Sequence, residues 1–173
     1  KFEGAYVKDP IVGLHKWVMS FDLNSLYPHL IMQYNISPET LVADKAVKNM
    51  SVEKMLNKEV DTSILKDATM TPNGALFKIT QKGFLPELMQ KMYDDRVKFK
   101  QLMIEAQKDY EKTKDPKLLR DISKFNNIQM AKKISLNSAY GAIGNVWFRY
   151  YNLLVAEAIT TSGQLAIRFI EHS

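Results

Sequence analysis

The sequence predicts an α+β fold in which short strands and helices flank a long antiparallel pair of helices. Apolar residues recur at helical spacing over 83–110 and again over 118–142, so each helix would be roughly 40 Å long at 1.5 Å per residue. Asp115-Pro116 marks a turn and a restart between them. Apolar runs at 15–21 and 76–79 have the composition and alternation of short strands.

Before the helical pair, a strand, a tight turn and a helix are predicted in succession. The strand at 15–21 ends at Asp22, and a helix follows within 23–34, with Pro28 in its first turn. Such a turn leaves backbone N–H groups unpaired, and these can hold phosphate. The carboxylate of Asp22 can hold Mg²⁺ through oxygen, and the alternative is that Asp22 caps the helix.

The remaining elements are predicted from local signals. A short helix is expected near 52–57, and Thr-Pro-Asn-Gly at 71–74 predicts a turn that leads into the strand at 76–79. The segment 146–151 contains four aromatic residues, most of which we expect in the core. Asn152 is predicted to cap a last helix that continues to the end of the sequence.

The composition limits the class of protein. The 173 residues are 46% apolar, enough for one domain with a sizeable core. No cysteine is present, which excludes disulfides and thiolate metal sites and fits a reducing compartment. We find no run of eighteen apolar residues and no signal-peptide pattern, so no membrane association is expected.

The positive charge is concentrated in the middle of the sequence. The net charge is +5, and residues 82–133 hold 13 Lys or Arg and 8 Asp or Glu, while charges elsewhere cancel. A local basic surplus favours partners that carry phosphate. The alternative is a pair of helices with solvated, lysine-rich faces.

Two segments carry a resemblance to a known family. Residues 20–28 read Ser-Phe-Asp-Leu-Asn-Ser-Leu-Tyr-Pro, which resembles the first catalytic motif of the family-B, replicative-type DNA polymerases. Residues 133–141 read Lys-Ile-Ser-Leu-Asn-Ser-Ala-Tyr-Gly, which resembles the Lys-x-x-x-Asn-Ser-x-Tyr-Gly motif of that family. The flanks at 4–7, 35–40 and 144–151 look most like polymerases of T-even-type tailed bacteriophages. The resemblance is weakest over 43–71.

The resemblance implies three parts of a polymerase. Residues 1–82 would be the N-terminal part of the palm with the first catalytic carboxylate, 83–143 the helical fingers, and 144–173 the return into the palm. The second catalytic motif of the family, Asp-Thr-Asp, does not occur after Tyr140. We therefore expect a piece of a template-directed DNA polymerase that binds better than it catalyses.

The resemblance also implies roles for residues of the first motif. Asp22 would be the catalytic carboxylate and, with the carbonyl of Leu23, would bind Mg²⁺ of a two-metal site. The N–H groups of Ser25 and Leu26 would receive triphosphate oxygens. Tyr27 would lie under the incoming sugar and exclude a 2′-hydroxyl, and its alternative role is a core aromatic.

The helical pair would supply the other contacts. Arg96 and Lys100 are spaced i, i+4, as are Lys133 and Asn137, so antiparallel helices can bring the two faces together. The resemblance makes Arg96, Lys100 and Lys133 the triphosphate grip and Asn137 part of the dNTP pocket. Tyr140 and Gly141 would line the nascent base pair. Lys132 points about 100° away from Lys133, so we favour Lys133. Without the resemblance, surface solvation would be the better interpretation of each cation.

The implied partners are a DNA primer-template and deoxynucleoside triphosphates, with a sliding clamp and other replication proteins for the whole protein. The implied location is the cytoplasm of an infected bacterial host. Two alternatives stay open at this point. One is a protein-primed DNA polymerase, which shares these motifs, and the other is a basic helical hairpin that binds nucleic acid without catalysis.

Overall fold

A computed structural model describes residues 4–42 and 47–171. Predictions that extend to 1–3, 43–46 or 172–173 lie outside the described residues at those positions. The elements, in chain order, are α1 Leu26–Gln33, α2 Val52–Leu56, a 3-10 turn Thr62–Ile64, β1 Ala68–Met70, β2 Leu76–Lys78, α3 Phe84–Thr113, α4 Pro116–Ile143 and α5 Leu153–Glu171. This arrangement confirms the predicted α+β class.

The long pair of helices, α3 and α4, is the largest feature of the fold. Between them, Lys114 takes a left-handed conformation and the side chain of Asp115 accepts a hydrogen bond from the N–H of Lys117, so the second helix is capped as it begins. The rings of Phe99 and Phe125 meet between the two helices with their centroids 6.2 Å apart. The pair is therefore antiparallel, as predicted.

The predicted hairpin is present. Strands β1 and β2 pair antiparallel, with Thr69 opposite Phe77. Gly74 has φ of +83°, in the left-handed region that the turn requires, and its N–H bonds the carbonyl of Thr71 at 2.8 Å. Leu41 forms an isolated bridge to Phe77, which adds a third, short segment to the sheet.

Helix α5 passes through the core. Its residues from Val155 to Gln164 are buried, apart from the half-buried Glu157. Asn152 caps it, because its side-chain oxygen accepts a hydrogen bond from the N–H of Val155 at 3.2 Å. The core around it comes from every major element and includes Ile31, Ile36, Phe77, Met89, Leu136, Ile143 and Ile159.

The base of α3 is held by the segment that follows α1. The side-chain oxygen of Asn35 accepts a hydrogen bond from the N–H of Gly83 at 2.9 Å, and Glu39 accepts one from the N–H of Phe84 at 2.5 Å. The hydroxyl of Ser37 lies 3.4 Å from the N–H of Leu85. Three side chains therefore satisfy N–H groups that a helix start leaves free.

The strand predicted at 15–21 is wrong. These residues form bends and irregular chain, and Trp17, Val18 and Phe21 are 98%, 75% and 86% exposed. Within the described chain, no backbone hydrogen bond joins this segment to a neighbour. A strand exists only when a second strand pairs with it, and its apolar composition cannot provide that partner.

The core position predicted for the aromatic residues at 146–151 is also wrong. Trp147 is 92% exposed, and Phe148, Tyr150 and Tyr151 are all exposed. The chain makes two successive turns here, closed by N–H groups of Phe148 and Tyr151, which leave the rings outside. Tyr150 contacts its neighbour Phe148 and the first residue of α3, Phe84.

Helix α5 meets the length and composition expected of a membrane span, with mean hydropathy of 1.3 over its most apolar stretch. Half of that stretch is buried within the protein. A helix packed in a protein core satisfies the same criterion, so this feature is weak evidence for a membrane.

Candidate nucleotide-binding site

A cleft of about 490 Å³ opens where the start of α1 faces the helical pair. It contains nine of the eleven predicted site residues. Its lining residues are Asp22, Leu23, Asn24, Ser25, Leu26, Tyr27, Pro28, Arg96, Lys133, Asn137 and Tyr140. Residues more than 100 positions apart in the sequence therefore surround one space, although their individual roles stay predictions.

The turn before α1 provides backbone donors at the floor of the cleft. Ser25 has φ of 54° and ψ of 47°, a left-handed conformation, and its side chain does not cap the helix. The N–H groups of Ser25, Leu26 and Tyr27 have no recorded backbone partner in the described chain. A helix start with free N–H groups attracts anions, so this floor suits a phosphate.

Arg96 reaches the same turn from α3. Its Nη1 donates a hydrogen bond to the hydroxyl of Ser25 at 2.9 Å, and that hydroxyl lies 3.3 Å from the side-chain oxygen of Asn24. The Nε of Arg96 is buried and has no partner among the described residues. A buried donor without a partner costs about 1–3 kcal/mol.

The two adjacent lysines of α4 have different surroundings. Lys132 forms an ion pair with Asp95 at 2.7 Å across the two helices, and the Lys132 ammonium lowers the pKa of that carboxyl. Lys133 is exposed and lines the cleft. Lys132 is thus engaged within the protein and Lys133 lies at the cleft, and the role of Lys133 in phosphate binding stays a prediction.

Two predicted site residues lie outside the cleft. Lys100 lines a neighbouring cavity of about 400 Å³, which shares Asn24 and Arg96 with the cleft. Gly141 is exposed, and a Cβ added there would meet nothing within 4 Å. No contact among the described residues requires glycine at position 141.

Two tyrosine rings form one wall. The centroids of Tyr27 and Tyr140 are 4.9 Å apart, with their planes tilted by 47°. Burial raises the pKa of Tyr27, while burial and then the neighbouring Tyr27 phenol raise that of Tyr140. Both phenols are therefore uncharged at neutral pH, and the wall presents neutral rings to a ligand.

Comparisons with known proteins decide the family. A family model described as DNA polymerase family B matches residues 1–172. This chain belongs to DNA polymerase family B. Its relatives include the DNA-directed DNA polymerases of Escherichia phage RB69 and Enterobacteria phage T4, which are 33% and 30% identical over 98% of the chain. DNA polymerase 1 of Pyrococcus abyssi is 32% identical over 98% of it.

The chain spans 23% of the length of each phage polymerase and 18% of the archaeal one. The predicted resemblance to family-B polymerases is thus confirmed over nearly all of the sequence. Polymerases of this family use Mg²⁺ and bind DNA and deoxynucleoside triphosphates.

Asp22 is the one carboxylate among the described residues that line the cleft, and carboxylate oxygens are ligands that Mg²⁺ takes. It is exposed beside the turn, and the main chain of Leu23 adds a carbonyl oxygen in the same segment. The described residues contain no cluster of three or more Asp, Glu or His side chains. This set would fit one part of a magnesium site, with Asp22 as one of its carboxylates.

Sequence reasoning missed Asn24, which lines the cleft, and Gly163, which packs behind one of its walls. Asn24 lies between Ser25 and Tyr93, with 3.5 Å from its amide nitrogen to the phenol oxygen, and nothing in its type distinguishes it from a loop asparagine. Gly163 of α5 lies directly behind the ring of Tyr27. A glycine inside a helical pattern is a signal for close packing, and it could have been noticed.

Proposed function

We propose that this chain forms the nucleotide-binding part of a DNA-directed DNA polymerase, which adds deoxynucleotides to a primer 3′ end under the direction of a template. The observation that carries the proposal is the cleft in which Asp22, Arg96 and Lys133 face the free N–H groups of one helix start. In this proposal, residues 1–82 and 144–173 belong to the palm and 83–143 form the fingers. The fingers then coincide with α3 and α4.

The triphosphate would lie between α1 and the helical pair. Arg96 would bind phosphate oxygens with its planar fork, and Lys133 would act as a point charge from α4. Lys100, in the adjoining cavity, would extend the positive field from the same side. The N–H groups of Ser25 and Leu26 would hold oxygens at the floor and so align the reacting phosphorus.

Magnesium would be held by Asp22 and the carbonyl of Leu23, and when bound it would neutralise triphosphate charge near the primer hydroxyl. Two-metal chemistry uses more than one carboxylate, whereas Asp22 is the one carboxylate among the described residues that line the cleft. We therefore expect these 173 residues on their own to bind nucleotide better than they catalyse its transfer.

The tyrosine wall would select the substrate. Tyr27 would lie under the sugar, where its ring leaves no room for a 2′-hydroxyl. Asn137 and Tyr140 would contact the nascent base pair, and the open surface at Gly141 would let the duplex approach the backbone. Hydrogen-bond acceptors in the minor groove are similar for all base pairs. Contacts there therefore depend on the shape of the base pair rather than on its sequence.

Substitution of Asp22 in the complete polymerase tests the function. Asp22→Asn keeps the size of the side chain but removes its charge, so incorporation should fall by about a hundredfold or more while primer-template binding is kept. Asp9→Asn is the matched control, because it removes the same charge from an exposed position outside the cleft. Primer extension and DNA-binding titrations measure the two properties.

Wild-type extension by Asp22→Asn would refute the assignment of Asp22 as a metal ligand. The basic-hairpin alternative, in which the chain binds nucleic acid without an active site, would then be favoured. A sliding clamp and other replication proteins remain predictions for the whole protein.

A further inference from the structure

The ring of Tyr27 is held between two helices. Tyr140 of α4 contacts it at a centroid distance of 4.9 Å. Gly163 of α5 lies close to its edge, where a Cβ would be 2.8 Å from Cε1, 3.6 Å from Cδ1 and 3.8 Å from Cζ. The first of these distances is shorter than a carbon–carbon contact allows, so the ring can sit at its present depth only opposite a glycine.

The backbone of α5 gives no other reason for glycine at position 163. The residue is buried within a continuous helix and has no positive φ. Glycine inside a helix is destabilising relative to alanine, because it loses more conformational freedom on folding. The space taken by Tyr27 is thus the feature that requires a residue without a side chain here.

We propose that Gly163 is a positioning residue that fixes how far the Tyr27 ring extends into the cleft, and that it thereby sets discrimination between deoxyribonucleotides and ribonucleotides. The inference rests on the proposed function, in which Tyr27 lies under the incoming sugar. Gly163 acts only through Tyr27, since it does not line the cleft itself.

The direction of the effect follows from the packing. A methyl group at position 163 would displace the ring away from α5, because the backbone of a buried helix yields less than a side chain. Tyr140 limits movement on the α4 side, so the remaining direction is into the cleft. The space for the sugar would shrink, and a 2′-hydroxyl would be excluded more strongly.

The test is Gly163→Ala in the complete polymerase, with kcat and KM measured for matched deoxy- and ribonucleotides. KM for deoxynucleotides should rise by a few fold, and the deoxy-to-ribo ratio of kcat/KM should rise on the order of tenfold. In a Tyr27→Ala background the ring is gone, so Gly163→Ala should change neither quantity.

The matched control is Ser162→Ala. Ser162 is the buried neighbour of Gly163 in α5, and its hydroxyl has no partner within the described chain. This substitution adds no atom to the helix, so the sugar ratio should stay at the wild-type value. Circular dichroism of both variants shows whether α5 still folds.

If Gly163→Ala lowered kcat/KM equally for deoxy- and ribonucleotides, the glycine would serve packing alone. This result would overturn the inference. An unchanged or lowered ratio would overturn it as well, because the ring would then not move into the cleft. Failure of the proposed function is distinguished by Asp22→Asn. If that variant is inactive while Gly163→Ala has the wild-type ratio, the polymerase assignment survives and the role of Gly163 does not.

Discussion

Arg96 differs from the other cations near the cleft because part of its guanidinium is buried and already donates a hydrogen bond within the protein. Nη1 donates a hydrogen bond to the hydroxyl of Ser25, while the buried Nε has no partner among the described residues. Arg96→Lys keeps the charge but replaces a planar fork by a single ammonium, which cannot hold Ser25 and a phosphate in the same way. We expect KM for deoxynucleotides to rise about tenfold, with DNA binding unchanged.

Steady-state extension at varied nucleotide concentration measures the change. Arg120→Lys is the control, since Arg120 is an exposed arginine in the distal half of the helical pair. If both substitutions changed KM for deoxynucleotides equally, the guanidinium of Arg96 would make no specific contact with the nucleotide.

The adjacent lysines of α4 offer a second prediction. Lys133→Ala removes a cation from the cleft and should raise KM for deoxynucleotides by about tenfold or more. Lys132→Ala removes the same charge one residue away, where it pairs with Asp95, and should leave KM close to the wild-type value. The same extension assay compares them, and a larger effect of Lys132→Ala would reverse the assignment.

At the scale of residues, spacing predicted the cations but not their surroundings. The i, i+4 spacing placed Arg96 and Lys100 on one face, and both line the neighbouring cavity, but of the two only Arg96 also lines the cleft. The contact of Gly163 with Tyr27 joins positions far apart in the sequence. No local pattern contains that information, because it depends on how α5 packs against α1.

Among the elements, the start of α3 depends on a carboxylate outside the helix. Partial burial raises the pKa of Glu39, but hydrogen bonds from the Ser37 hydroxyl and the Phe84 N–H outweigh it, so the net pKa lies below the ordinary 4.5. The stability that Glu39 contributes is therefore present above pH 4.5 and is lost as pH falls through the lowered value.

Glu39→Gln should weaken the first turn of α3 at neutral pH. The free energy needed to open this turn locally should fall by about 0.5–1 kcal/mol. The value is modest because the carboxylate is exposed to solvent. Hydrogen exchange at the Phe84 amide measures this, and the difference from wild type should vanish at acid pH. Glu87→Gln provides the control, because it removes a charge from the same turn and Glu87 has no side-chain hydrogen bond to another described residue. A difference that persists in acid would contradict the role of the ionised carboxylate.

Local sequence signals were sufficient to predict where these helices begin. Asp115 with Pro116 and the cap at Asn152 marked two helix starts, and each start is present within a few residues of its predicted position. The strand at 15–21 failed for the opposite reason. Its formation depends on a partner segment, and apolar composition reports burial only after such a partner exists.

For the molecule as a whole, the segment 11–21 is the most exposed apolar surface among the described residues. Val12, Leu14 and Trp17 are 96%, 93% and 98% exposed. Exposed apolar patches promote association, so these 173 residues expressed alone should bind a hydrophobic dye such as ANS and self-associate. Replacement of Leu14 and Trp17 by serine should reduce both effects.

Dye fluorescence and light scattering provide the measurements. Lys16→Ser lies in the same segment and changes a polar side chain, so it should leave dye binding unaltered. If the unsubstituted 173 residues gave no dye fluorescence, this surface would be covered in solution.

The firm attachment of α3 at one end has a mechanical consequence. Asn35, Ser37 and Glu39 fix its first turn, whereas Arg96 lies about 18 Å further along at 1.5 Å per residue. If the helical pair rotated as a rigid body, this fixed first turn would place the axis of rotation near Gly83. A rotation of about 10° around this axis would carry Arg96 through roughly 3 Å, enough to exchange the hydroxyl of Ser25 for another oxygen.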